Sequence, residues 1–153
     1  MKSRYLLGVL VLAFIAADGR MQDDTKKDLK RLQGTWAFVT IEEDGRKKSQ
    51  RELKGMEDRL YWTFRENELV RTLGGEAAKG KFKLDAKGLP KEIDIFDYAG
   101  KGKTARGIYT FEGERLKIFL GSKSGERPWG FGQPKSGQAS FILKRHVVKV
   151  EDS

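Results

Sequence analysis

Few residues in this sequence could do covalent chemistry, and their spacing decides against most of it. It contains one histidine and no cysteine. His146 falls near the end of the chain, where it is expected to be exposed and is poorly placed as a general base. No thiol nucleophile exists, so a metal site would need oxygen ligands alone, and no Asp/Glu cluster has the spacing of a calcium loop. Gly74 with Gly75, and Gly100 to Lys103, contain the glycines of a phosphate loop. Neither joins a strand to a helix, so both read as hairpin turns. The chain therefore reads as a protein that is not an enzyme, with no catalytic residue, metal or cofactor.

Binding chemistry is better represented. Arg71, Asp97, Thr40 and Tyr109 fall on a strand face that is otherwise apolar. An unpaired buried charge is strongly unfavourable, so Arg71 and Asp97 must pair, reach water or touch a ligand. Tyr109 is either a hydrogen-bonded core tyrosine or a ligand anchor. Further on, Arg127, Pro128, Trp129, Gly130 and Phe131 place an arginine and two aromatics in a glycine-rich stretch. Trp129 and Phe131 either fold back as a plug or act as a lid over a site. Arg71, Asp97, Tyr109, Arg127 and Trp129 are thus the ligand-binding candidates.

The elements that position them are strands. From Thr35 onward the pattern is period-2 alternation broken by turns rich in Gly, Asp and Asn, and helix signals disappear. One face runs through Trp36, Phe38 and Thr40; Leu60, Trp62 and Phe64; Leu69, Arg71 and Leu73; and Gly80, Phe82 and Leu84. It continues through Ile93, Ile95 and Asp97; Ala105, Gly107, Tyr109 and Phe111; Leu116, Ile118 and Leu120; and Phe141, Leu143 and Arg145. The opposite face carries Lys79, Lys81, Lys83, Glu92, Asp94, Arg106 and Lys117 and is solvent-facing. These segments make about eight strands, enough for a single up-and-down antiparallel barrel that leaves no free sheet edge.

Ahead of the strands, residues 1–19 have the form of a secretory leader: Lys2 and Arg4, an apolar run over 5–17, then small residues at Ala16, Ala17 and Gly19. That run is too short to span a bilayer. The expectation is an exported protein, periplasmic or extracellular, with no membrane span after cleavage and no cysteine to carry a lipid. Residues 20–33 form a linker and a short helix. Thr25 and Asp28 are spaced as a capping box, and Leu29 with Leu32 suits a plug over the barrel base. The barrel domain spans 34–149, and 150–153 form a tail.

Gly34, Thr35 and Trp36 at the head of the first strand, answered by Leu143, Lys144 and Arg145, resemble the closure of lipocalin-type barrels, in which an arginine packs across the tryptophan ring. The longer stretches 28–36 (DLKRLQGTW), 80–84 (GKFKL), 90–95 (PKEIDI) and 102–117 (GKTARGIYTFEGERLK), with Glu126 to Pro128 and Phe131, resemble a planctomycete-type lipocalin-like family of small exported proteins. The resemblance implies a barrel closed by Gly34, Trp36 and Arg145, and implies no reaction.

With Trp36 at the closed end, the connections there are short: 66–67, 85–90 and 112–113. The open end takes 44–57, 74–78, 99–104 and the long 121–138 segment. Charge gathers at that mouth. The chain carries +9; the leader, with Lys2, Arg4 and Asp18, accounts for +1 of it. Arg46, Lys47, Lys48, Arg51, Lys54, Lys101, Lys103, Lys123, Arg127 and Lys135 face only Glu52 and Glu126 across these loops, while Glu42, Glu43, Asp44, Glu57, Asp58 and Glu76 dilute the field nearby. Two readings follow. In one, a monomeric binder holds a small amphiphilic or anionic ligand at the basic mouth. In the other, a filled-core module of the envelope docks on an anionic polymer or protein. Export and the lack of an aromatic basic sheet face argue against nucleic acid.

Overall fold

The computed structural model describes residues 23–97, 102–122 and 125–147. The leader expected at 1–19 lies outside these residues. A helix, α1, covers 23–32, followed by β1 (Gly34–Glu43), β2 (Arg46–Lys48), α2 (Gln50–Leu53), β3 (Leu60–Arg65), β4 (Glu68–Leu73) and β5 (Glu76–Asp85). The remaining strands are β6 (Lys91–Phe96), β7 (Thr104–Glu112), β8 (Arg115–Leu120) and β9 (Ala139–Arg145). Among the described residues no helix is long and apolar enough to cross a membrane.

Strands β3 to β9 pair antiparallel with their chain neighbours, and β1 pairs with both β3 and β9. Eight strands thus close into an up-and-down barrel, and the short β2 lies alongside the mouth half of β1. Cross-strand rows confirm the inward face: Trp36 opposes Trp62 and Arg145, Phe64 opposes Leu69, and Phe82 opposes Ile95. In an antiparallel pair opposed side chains share a face, so each row fixes its neighbours.

One expectation fails within β1. The register with β9 shifts between Phe38 and Thr40, where Val39 forms a bulge, so Ile41 opposes Phe141 and Glu43 opposes Ala139. An extra residue on one strand reverses the alternation beyond it. Thr40 therefore turns outward, and Ile41 and Glu43 turn inward.

The interior is packed with aromatic rings. Trp62 meets Phe64 at 6.3 Å and Phe64 meets Phe82 at 5.0 Å, edge to face, the favoured arrangement for ring quadrupoles. Gly107 leaves no gap, because a Cβ there would stand 2.7 Å from a Leu120 methyl. Leu32 is buried and Leu29 packs against the core, so α1 seals the base. The capping box does not form: Thr25 lies within α1 and its hydroxyl accepts the Ala86 N–H at 3.1 Å. Asp28 instead turns inward to bind Lys91 and Tyr109.

A helix also appears inside the 44–57 connection. Its signal is Ser49 followed three residues on by Glu52, whose carboxylate accepts the Ser49 N–H at 2.7 Å. That bond, then one from the Ser49 hydroxyl, lowers the Glu52 carboxyl from its usual value. Leu53 is buried and anchors α2 to the core.

Candidate functional site

The two ends of the barrel separate the structural residues from the functional candidates. At the closed end the Trp36 indole N–H donates to the Leu32 carbonyl at 2.8 Å, and the Arg145 guanidinium lies 4.2 Å from the ring centroid. Arg145 also donates to the carbonyls of Gln33 and Arg31, which are among the unpaired C=O groups ending α1. Burial, then the charge of Arg31, pulls its pKa below the usual arginine value. Gly34 has φ +109, and a Cβ on it would stand 2.9 Å from Arg145 Nη1. The backbone conformation strains any other residue there, and a Cβ would press on the guanidinium and displace it. Gly34, Trp36 and Arg145 are one closing device, as the sequence led us to expect.

Tyr109 belongs to that end too. Its hydroxyl donates to Asp28 at 2.9 Å, and Lys91 Nζ stands 2.7 Å from the same carboxylate oxygen. Burial, then the Asp28 hydrogen bond and charge, pushes the phenol well above its ordinary value. Tyr109 therefore pins α1 to the sheet and does not face the mouth.

Arg127 is on the outer wall. Its guanidinium pairs with Asp94 at 2.8 Å and Glu92 at 3.5 Å, and donates to the Gly107 carbonyl at 2.8 Å. Phe131 lies 5.1 Å from Lys117 Nζ, an outward residue of β8. Residues 125–138 thus form a strap across β6, β7 and β8, not a lid or plug. Beneath it run Glu92, Ile108 and Phe119, opposed in one row across the three strands. Ile108 and Phe119 are buried although they point outward. They supply the apolar area that holds the strap down. Pro128 is buried in it, whereas Trp129 is 93% exposed. Trp129 neither plugs the barrel nor covers its mouth.

The mouth itself holds a cavity of about 680 Å³, within the usual range for small-molecule sites. Its floor is a triangle of rings: Phe38 to Trp62 at 5.4 Å, Phe38 to Phe141 at 5.6 Å and Trp62 to Phe141 at 5.2 Å. Ile41, Met56, Leu60 and Leu73 form apolar walls, and Glu43, Asp44, Arg46, Lys48 and Arg71 supply the charge. Glu43 opposes Arg46 and Ile41 opposes Lys48 between β1 and β2, so the bulge at Val39 is what aims this hairpin's charges inward. Asp44 accepts the Gly137 N–H at 2.9 Å, which ties the hairpin to the strap.

Of the five binding candidates, only Arg71 lines this cavity. Asp97 stands beside it through the backbone: Arg71 Nη2 lies 3.5 Å from the Asp97 carbonyl, while the Asp97 carboxylate accepts the Gly102 N–H at 2.9 Å. The acid thus joins the end of β6 to the residue leading into β7. His146 is not exposed as expected; its side chain is 17% accessible and Nε2 lies 2.8 Å from Asp58. Among the described residues, no group of three or more His, Asp or Glu side chains could hold a metal ion. The chain matches no family model, no curated protein and no solved structure.

Proposed function

We propose that the protein binds a small anionic amphiphile at the barrel mouth, as an exported lipocalin-like carrier or sensor without catalytic activity. The observation that carries this reading is the cavity's construction, with an aromatic floor of Phe38, Trp62 and Phe141 beneath a rim bearing Arg46, Lys48 and Arg71. Apolar contact with the floor supplies most of the affinity for a tail, and the rim orients the head. The interior below the rings is filled, so the tail rests on the triangle instead of running down the barrel axis. That same filling favours the docking-module reading should no amphiphile bind.

The test is a titration with submicellar laurate, read by tryptophan emission in a Trp129→Phe background that removes the exposed fluorophore. Trp62 should report a saturable change. Lys48→Glu and Leu73→Glu, both at the cavity edge, should weaken binding by about tenfold while circular dichroism stays native. Absence of saturation, or binding indifferent to both substitutions, overturns the proposal.

A further inference from the structure

The mouth cavity is not centred on the barrel axis. Among the described residues its lining comes from β1 to β4, β9 and the connection carrying Met56, and β5 to β8 contribute nothing to it. Strand pairing accounts for the offset. β1 and β3 pair only as far as Ala37 opposite Tyr61, yet β1 runs on to Glu43 while β3 begins at Leu60. Beyond Ala37 the ladder on that side of β1 passes to β2, so the wall is split between β2 and the paired ends of β3 and β4.

The β3–β4 edge of this split is an apolar sill. Leu60 opposes Leu73, the Leu60 N–H donates to the Met56 carbonyl at 2.7 Å, and the Gly74 N–H donates to the Arg59 carbonyl at 2.7 Å. Backbone bonds thus hold Met56, Leu60 and Leu73 as one frame. All three line the cavity, yet Leu73 is 66% exposed and Met56 38%, so these two side chains touch the cavity and the solvent at once. Past Leu73 the chain turns through Gly74 and Gly75, where a Cβ on either residue would meet nothing within 4 Å. The way over the sill is open. The way down is not, because Phe38, Trp62 and Phe141 are buried above filled layers.

On the mouth-binding reading, on which this rests, we propose that the chain of a bound amphiphile leaves the cavity sideways across Met56 and Leu73, so that the site selects long single-chain amphiphiles and these two residues read chain length. A methylene tightens binding only where it leaves water, by about fourfold when fully covered. In a closed pocket that gain stops once the pocket is full. Over an open sill it continues, at a reduced rate, as far as Met56 and Leu73 cover the chain, and the unbranched methionine adapts to chains of different length. Arg46 and Lys48, which line the cavity from β2, meet the head and act equally on every chain length.

The test is a series of octanoate, decanoate, laurate and myristate, each below its micelle concentration, titrated into Trp129→Phe protein and read by tryptophan emission. Myristate should bind about a hundredfold more tightly than octanoate, less than full burial of its extra methylenes would give. Met56→Ser combined with Leu73→Ser should lower that ratio by about tenfold while circular dichroism stays native. Lys48→Glu should weaken all four acids by a common factor and preserve the ratio. Saturable binding with equal affinities across the series, a ratio unchanged in the double variant, or a ratio lowered as much by Lys48→Glu would overturn the exit over the sill and leave the mouth site standing. Absence of saturable binding by any of the four acids would overturn both.

Discussion

Arg145 serves the base in two ways, through its stacked guanidinium plane and through donors that satisfy the end of α1, so its removal exposes carbonyls as well as the Trp36 ring. Trp36 fills more volume and should matter more. Trp36→Ala should cost about 3–5 kcal/mol, and Arg145→Ala about 1–3 kcal/mol, part of it lost packing of its stem. Gly34→Ala should approach the arginine variant, because strain at φ +109 and collision with Nη1 act together. Urea midpoints measure the order; a Gly34→Ala protein as stable as the parent would refute the closing device. Tyr109 gives a pH signature at the same end. Its pKa is raised above the ordinary 10.0 in the fold. Its contribution is therefore complete below pH 10 and is lost as pH climbs toward the folded-state value. Tyr109→Phe should flatten the alkaline decline in stability, and an unchanged slope would remove Tyr109 from its cause.

At the scale of elements the strap tests most of the packing argument. Arg127→Ala leaves Glu92 and Asp94 facing each other without their cation and removes the donor to the Gly107 carbonyl. Glu92 is half-exposed and screened, so the expected loss is about 1–3 kcal/mol, carried mainly by Asp94 and the carbonyl. Limited proteolysis should then cut within 121–138 well before the strands, and cleavage elsewhere first would show that the arginine does not hold the strap. The strap also shows how far the sequence could be read. Alternation located the barrel strands and the short turns at the base, since period-2 burial is a local property. Ile108 and Phe119, apolar residues on a polar face, are the local signal of a covering segment that the alternation alone left unread. Which segment covers them depends on Arg127 finding acids more than 30 residues back on β6, and that pairing is not local. The Val39 bulge was equally hidden: Phe38, Val39, Thr40 and Ile41 suit a strand in either register, and only the match to β9 selects one. Arg71 was legible as a binding candidate, because a charge on an apolar face must pair, reach water or touch a ligand, but its place at the mouth was not. Tyr109 was not separable from it, because its partner Asp28 comes from α1.

Across the described residues, packing thins from base to mouth. The closed end is sealed by α1, Trp36, Tyr109 and Arg145, the middle is filled by interlocked rings, and the mouth half is an open cavity bordered by a three-residue strand and a four-residue helix. Segments with few buried apolar contacts open locally at a fraction of the global free energy, while those in the filled layers exchange only when the barrel unfolds. Amide hydrogen exchange should therefore divide single strands. In β1, Trp36 and Phe38 should exchange at the rate set by global stability, whereas Glu42 and Glu43, paired with β2, should exchange sooner together with α2. Ser49→Ala, which weakens the first turn of α2, should speed exchange in 46–53 without altering β7 or β8. Occupancy of the mouth by an amphiphile should slow exchange in the hairpin and α2 while leaving the base layer unchanged, because a ligand seated on Phe38, Trp62 and Phe141 touches nothing below them. Uniform protection along β1, or ligand-induced slowing confined to the closed end, would contradict both this gradient and the location of the site.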